Sequence, residues 1–227
     1  MDKILVIAPH ADDEVLGCGG TINKLANQSK KEVYVLIVTN AHIGCPDRYS
    51  QEAINRIRQQ ATEAHKFLGV KQTLFFDFPA PRLDDFPSYK IAGDMNSLIQ
   101  ELEVDTVFIP HRGDIHKDHR IVYESALVAC RPTGNCPVKE IYAYETLSET
   151  EWSSPFADDA FHPNVFISLS QQNMDAKIKA FTYFKSQVKQ FPESRSTDAL
   201  EALAKLRGST ITKPFAEAFM LVRKIYE

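Results

Sequence analysis

Four short apolar runs, Lys3–Ala8, Glu32–Thr39, Gln72–Phe76 and Thr106–Pro110, alternate with four stretches of helical periodicity, Val15–Gln28, Gln51–Leu68, Ile91–Leu102 and His119–Cys130. No other feature of the chain restricts its fold as much. A short run that is apolar throughout belongs to a strand covered on both faces. Strands of that kind separated by helices build βαβ units around a parallel sheet. Right-handed crossovers then bring every strand-to-helix loop out at one rim. In open α/β sheets that rim, at the carboxyl ends of the strands, is where ligands bind. The expectation is therefore one α/β domain over residues 1–227 with a Rossmann-like, mostly parallel sheet, helices on both faces and a less regular C-terminal part.

In that C-terminal part, Glu140–Glu145 and Asn164–Leu169 read as strands on either side of a Pro- and acid-rich loop that holds Trp152. Ser168 or Ser170 caps a helix running to about Gln187, and Ser196 or Thr197 caps one ending near Arg207-Gly208. Phe215–Tyr226 fits both periods and leans to strand. Gly69 after Leu68 suits a helix C-terminus. Phe78–Tyr89, with Pro79, Pro81 and Pro87, reads as an ordered loop near the ligand-binding rim.

Two clusters of imidazoles and carboxylates sit where strands end. Pro9-His10-Ala11-Asp12-Asp13-Glu14 follows the first strand, and His111-Arg112-Gly113-Asp114-Ile115-His116-Lys117-Asp118-His119 follows the fourth. Acids at a helix start are favourable by themselves, since the helix dipole attracts negative charge there. That accounts for Asp13 and Glu14 but not for His10 or the second cluster. Zinc takes His nitrogen and Asp oxygen, and a catalytic site keeps three protein ligands and an open position for water. His10 and Asp13 are separated by two residues on a turn, so both can reach one ion, while Asp12 points elsewhere and is free to act as a base. One histidine of the second cluster completes the set and another is left for acid or electrostatic work. An aspartate between them suits the task of fixing an imidazole tautomer.

Composition narrows the partners. With 26 Lys and Arg against 30 Asp and Glu, the net charge of −4 gives no general pull toward nucleic acid or acidic membranes. No stretch approaches the roughly 20 apolar residues needed to cross a bilayer. The N-terminus lacks a secretion-signal pattern, and Cys18, Cys45, Cys130 and Cys136 form no CxxC pair, which together give a cytoplasmic protein with reduced thiols as the expectation. Cys18 reads as a small buried residue rather than a ligand. A homo-oligomer is compatible with the sequence but not demanded by it.

The two clusters carry a family resemblance. The chain resembles the PIG-L/LmbE-type zinc-dependent N-acetylglucosaminyl deacetylases, whose signatures are A-H-P-D-D-E near the N-terminus and H-x-D-H about a hundred residues later. Here these read Pro9-His10-Ala11-Asp12-Asp13-Glu14 and His116-Lys117-Asp118-His119. Gly19–Thr21, the Arg58-to-Val70 helix, Arg207-Gly208 and Ala216-Glu217-Ala218-Phe219 extend the likeness over essentially the whole chain. The resemblance implies His10, Asp13 and His119 as ligands of one zinc ion. It implies Asp12 as general base, His116 as oxyanion stabiliser and proton donor to the leaving amine, Asp118 as the residue orienting a histidine, and Arg58 as a substrate contact. An N-acetylated amino sugar or its conjugate is the implied small-molecule substrate. Pro9 and Ala11 depart from the family's Ala and Pro without removing a functional side chain, and Gln60 stands where the family is often acidic. Arg48 and Asp114, in rim loops, are further candidates for holding sugar hydroxyls or a phosphate.

Other functions make different demands. Gly17-Cys18-Gly19-Gly20 after the first strand invites a dinucleotide site, but the spacing is not G-x-G-x-x-G and Val38-Thr39-Asn40 lacks the acid that would hold a ribose. A non-catalytic metal- or sugar-binding domain would have no use for both Asp12 and His116 beside a metal. An amidase acting on another amide, such as a thiol conjugate, would differ only in its outer loops.

Overall fold

The computed structural model describes residues 2–226, and in it the alternation becomes a seven-stranded sheet. The strands are β1 Lys3–Ala8, β2 Glu32–Asn40, β3 Gln72–Pro79, β4 Thr106–Pro110, β5 Glu140–Tyr144, β6 Val165–Leu169 and β7 Phe215–Lys224. Their order is β3-β2-β1-β4-β5-β7-β6. The first five run parallel, β1 pairing with β2 from Lys3↔Glu32 to Ala8↔Ile37 and with β4 from Ile4↔Thr106. Strand β7 returns antiparallel to β5, and β6 lies antiparallel to β7 at the edge. The sheet is mostly parallel, and its irregular part is the C-terminal third.

The helices are α1 Asp13–Asn23, the single turn α2 Ala41–Gly44, α3 Gln51–Leu68, α4 Ser88–Leu102, α5 Lys117–Ala129, α6 Gln171–Phe181 and α7 Thr197–Ser209. Alternate residues of the central strands feed two cores. Ile4, Val6, Val35 and Ile37 face α1, α3 and α6, whereas Leu5, Ile7, Leu36 and Val38 face α4 and α5. Burial on both faces is why these strands are apolar at every position rather than at every second one. Ser50, Ser170 and Ser196 cap α3, α6 and α7, each accepting from a backbone N–H three residues on. Gly69 ends α3 at φ 90°, a backbone that favours glycine. Among the described residues no helix is long and apolar enough to cross a membrane.

Several boundaries differ from expectation. The first helix starts at Asp13 and passes into a π-turn at Lys24–Gln28. Helix α6 stops at Phe181 rather than near Gln187, because Phe181 and Phe184 are both fully buried and turn residues 182–196 back toward the strand-end rim. The glycines after β1 are not in a turn but inside α1, where they allow close packing. A Cβ on Gly17 would lie 2.3 Å from the Tyr144 ring, and one on Gly20 2.4 Å from the Leu169 side chain. Their place is against β5 and β6. Glu217 of β7 fixes the same helix, accepting from the N–H groups of Gly20 (2.9 Å) and Thr21 (2.6 Å) and from Lys177 of α6 (2.6 Å).

Candidate active site

Strands β1 and β4 are neighbours whose chains leave in opposite directions, β1 toward β2 and β4 toward β5. The crevice at their carboxyl ends is the topological switch point of the sheet, where open α/β folds bind ligands. Both clusters land there. Donor atoms of His10, Asp13 and His119 all lie within 4.8 Å of one another. Asp13 Oδ2 is 3.3 Å from His10 Nδ1 and 3.2 Å from His119 Nε2. His119 Nε2 and Asp13 Oδ1 are buried and have no hydrogen-bond partner. A buried polar atom without a partner calls for an explanation, and two imidazoles with a carboxylate form a donor set for a divalent ion. These three residues could hold one.

The ring nitrogens on the far side are tied down. His119 Nδ1 meets Asp114 Oδ2 at 2.8 Å, and His10 Nε2 meets Asp118 Oδ2 at 3.1 Å. Carboxylates in that position set the tautomer and orientation of a ligating histidine. A second grouping, His10, His116 and Asp118, is equally compact. Its donor atoms apart from His116 Nε2 are already engaged, however: Asp118 Oδ1 accepts from the Leu83 N–H (3.2 Å), and His116 Nδ1 accepts from the Asp118 N–H (3.1 Å). The first grouping is the better metal site.

Asp12 stands beside it in an unusual backbone. Its φ of 124° lies in a region that non-glycine residues rarely adopt, at a cost of about 1–3 kcal/mol. Its N–H donates to Glu14 Oε2 at 3.1 Å. Glu14 Oε1 in turn meets His65 Nε2 at 2.8 Å, and His65 Nδ1 meets the Thr73 hydroxyl at 2.9 Å. The Asp12 side chain is held from the other end of the chain, by Arg195 Nη1 at 3.1 Å from Oδ2.

Burial pushes the Asp12 carboxyl up to about 8 against the pull of Arg195. Burial opposes a charge on His10, yet its hydrogen bonds to Asp118 and Asp13 outweigh this and raise it to about 9. His116 is pushed down to about 4 by burial, then by the neighbouring charge of His10. Because His116 Nδ1 accepts a backbone N–H, its neutral ring carries the proton on Nε2. Burial also lifts Glu149 to about 7. A dication beside these groups would favour carboxylates and neutral imidazoles.

A cavity of about 880 Å³ opens over the site, with His10, Asp12, His116, Arg58, Trp152 and Arg195 in its wall. Arg58 lies in that wall but is already engaged, donating to the Phe76 carbonyl (2.9 Å) and Asp77 Oδ1 (2.6 Å). Two of the rim candidates are corrected. Arg48 is exposed outside the cavity lining, its guanidinium against the Tyr49 ring at 5.6 Å. Asp114 is fully buried, with Oδ1 accepting from the Thr150 hydroxyl (2.6 Å) and Oδ2 against His119, so it faces that histidine and not the cavity. His111 is also drawn away, its Nε2 2.9 Å from the Asp159 carbonyl. Arg195 was not found from sequence: 183 positions separate it from Asp12, and no local pattern marks it.

Comparison with known proteins identifies the family. The PIG-L family, described as GlcNAc-PI de-N-acetylase, matches residues 5–130. An uncharacterized deacetylase of Escherichia coli (strain K12), YaiS, is 31% identical over 81% of this chain and 90% of its own length. The diacetylchitobiose deacetylase of Thermococcus kodakarensis is 26% identical over 84% of this chain and 71% of its own length. The chain belongs to the PIG-L family, whose members include deacetylases. Among solved structures, the N,N′-diacetylchitobiose deacetylase of Pyrococcus horikoshii superposes with a TM-score of 0.75 at 24% identity, over 98% of this chain and 84% of that one. GalB of Pseudomonas putida KT2440, a 4-carboxy-2-hydroxymuconate hydratase, superposes nearly as well, at 0.74 and 17% identity over 100% of this chain and 99% of that one. The shared fold thus hosts more than one reaction, and function has to be argued from the site.

Proposed function

We propose that this chain, working as one domain in the cytoplasm, is a zinc-dependent hydrolase that removes the acetyl group from an N-acetylated amino sugar or its conjugate. The observation that carries the reading is the His10–Asp13–His119 cluster, whose ligand atoms lie within 4.8 Å of one another, with His119 Nε2 buried and without a hydrogen-bond partner and Asp12 beside them. Zinc held by those three residues would lower the pKa of a water from about 15.7 toward 7 and polarise the amide carbonyl. Asp12 takes the proton from the attacking water, a task for a carboxylate within hydrogen-bond reach. His116 Nε2–H donates to the oxyanion that develops on the carbonyl oxygen; removing one such donor typically costs about 10²–10³ in rate. The proton gained by Asp12 is assigned to the leaving amine nitrogen because His116 Nδ1 already accepts the Asp118 N–H; the resemblance instead implies His116 as that donor. Asp118 and Asp114 hold His10 and His119.

The cavity lies in the upper part of the roughly 300–1,000 Å³ range of small-molecule pockets, which favours a sugar carrying a further group over a free monosaccharide. The test is amine release by zinc-loaded and metal-stripped protein from N-acetylglucosamine, N,N′-diacetylchitobiose and N-acetylglucosaminyl malate. Zinc-dependent release from at least one is expected. No release from any, by protein holding one zinc per chain, contradicts the reading.

A further inference from the structure

Residues 182–196, between α6 and α7, fold back over the strand-end rim and bring Arg195 to Asp12. The Arg195 side chain is only 20% exposed, and all three of its nitrogens face acceptors. Nε donates to Ser148 Oγ (2.7 Å), and Nη1 to Asp12 Oδ2 (3.1 Å) and Gln187 Oε1 (2.8 Å). Nη2 lies 3.7 Å from Glu149 Oε1 and 3.9 Å from Asp13 Oδ1. Three separate segments, around residues 12, 148 and 187, therefore fix one planar fork. An ammonium group could not satisfy those directions at once.

The geometry that Arg195 imposes matters because of where Asp12 sits. With φ at 124° and no side-chain cap bond to α1, Asp12 is not aimed by the helix it precedes. Its backbone is held by Glu14, and its carboxylate by Arg195 through Oδ2. Among the described residues Oδ1 has no hydrogen-bond partner, and Asp12 borders the cavity.

We infer that Arg195 is a positioning residue for the reaction: it pins the Asp12 carboxylate through Oδ2 so that Oδ1 faces the attacking water. This rests on the reading of Asp12 as the base. It also makes the 182–196 segment part of the active site, because Gln187 anchors the arginine from within the same segment. An arginine that only supported the fold would affect stability or metal content. One acting through Asp12 affects turnover, and only while Asp12 is a carboxylate.

The experiment compares zinc-loaded wild type, Arg195→Ala, Arg195→Lys, Asp12→Asn and the Asp12→Asn/Arg195→Ala double variant. It measures zinc per chain, and kcat and KM on whichever N-acetyl sugar of the panel the wild type cleaves. Arg195→Ala is expected to lose about 10²-fold in kcat, with KM within about threefold and zinc unchanged. Added guanidinium ion should restore part of that loss in Arg195→Ala and none in the double variant. The double variant should be no slower than Asp12→Asn. Arg195→Lys, which keeps charge and volume but not the fork, should lose about tenfold in kcat even if Arg195→Ala does not fold. Full kcat in either Arg195 variant, or additive losses in the double variant, overturns the inference. If the wild type cleaves nothing, the functional reading fails, and crystal structures of zinc-loaded wild type and Arg195→Lys decide the positioning question separately. A displaced Asp12 carboxylate in the variant supports it; an unmoved one overturns it.

Discussion

Asp114 and His119, five residues apart, meet at 2.8 Å in full burial, and the Thr150 hydroxyl closes the other side of the carboxylate at 2.6 Å. The pair aims His119 Nε2 at Asp13. Asp114→Ala should weaken zinc binding by about 10–100-fold while leaving the fold intact, and Asp114→Asn should weaken it less because one amide oxygen still accepts. Competition against a chelator of known affinity measures this. Unchanged affinity in Asp114→Ala would remove Asp114 from the site.

The Glu14–His65 pair supports Asp12 from behind, and neither side chain is solvent-exposed. A glutamine at position 14 has one acceptor oxygen for two donors, so Glu14→Gln should lose about 1–3 kcal/mol of stability. His65→Ala leaves Glu14 short of a buried partner and should lose about 3 kcal/mol or more. Urea unfolding is the check; losses below about 0.5 kcal/mol, the size usual for surface substitutions, would contradict a supporting role for the pair.

Glycine serves opposite ends in two helices. Gly17→Ala drives a methyl group into Tyr144 and should destabilise by about 1–3 kcal/mol. Gly93 of α4 is exposed with nothing within 4 Å of its missing Cβ, so Gly93→Ala should stabilise by about 0.5–1 kcal/mol. Thermal melts of the two variants should move in opposite directions. A Gly17→Ala variant as stable as wild type would contradict the packing of α1 against β5.

Burial holds the Cys18 thiol well above its ordinary range and pushes Cys130 up to about 12. A raised thiol pKa keeps both protonated at neutral pH, and protonated thiols are poor nucleophiles. Iodoacetamide at pH 7.5 should therefore label only the half-buried Cys45 and Cys136 in the native protein, and all four cysteines after unfolding. Native labelling of Cys18, read by peptide mass, would show that α1 opens.

What the sequence revealed follows from how local each cause is. Strands β1 and β4 are apolar at nearly every position and end directly before their chemical clusters, so both the switch point and the grouping of His10, Asp13 and His119 could be read from short windows. Asp114 misled because a carboxylate in a rim loop looks the same whether it faces solvent or turns inward to His119. Arg48 misled for the reverse reason: proximity to the rim in sequence did not bring it into the cavity. Arg195 was invisible because its partners, Asp12, Ser148 and Gln187, come from three segments that only the folded chain assembles. The end of α6 was also hidden. Periodicity continues past Phe181, but burial of Phe184 in a turn is a tertiary event.

The central claim is that Asp12 acts beside a metal that it does not ligate. Asp12→Asn leaves His10, Asp13 and His119 untouched, so zinc content per chain should match the wild type. Its kcat for release of glucosamine-type amine should fall by about 10²–10⁴-fold, the usual contribution of a general base. Zinc content and kcat measured on the same preparations decide the matter: intact zinc with that loss is the predicted result, and intact zinc with near wild-type turnover would contradict the account.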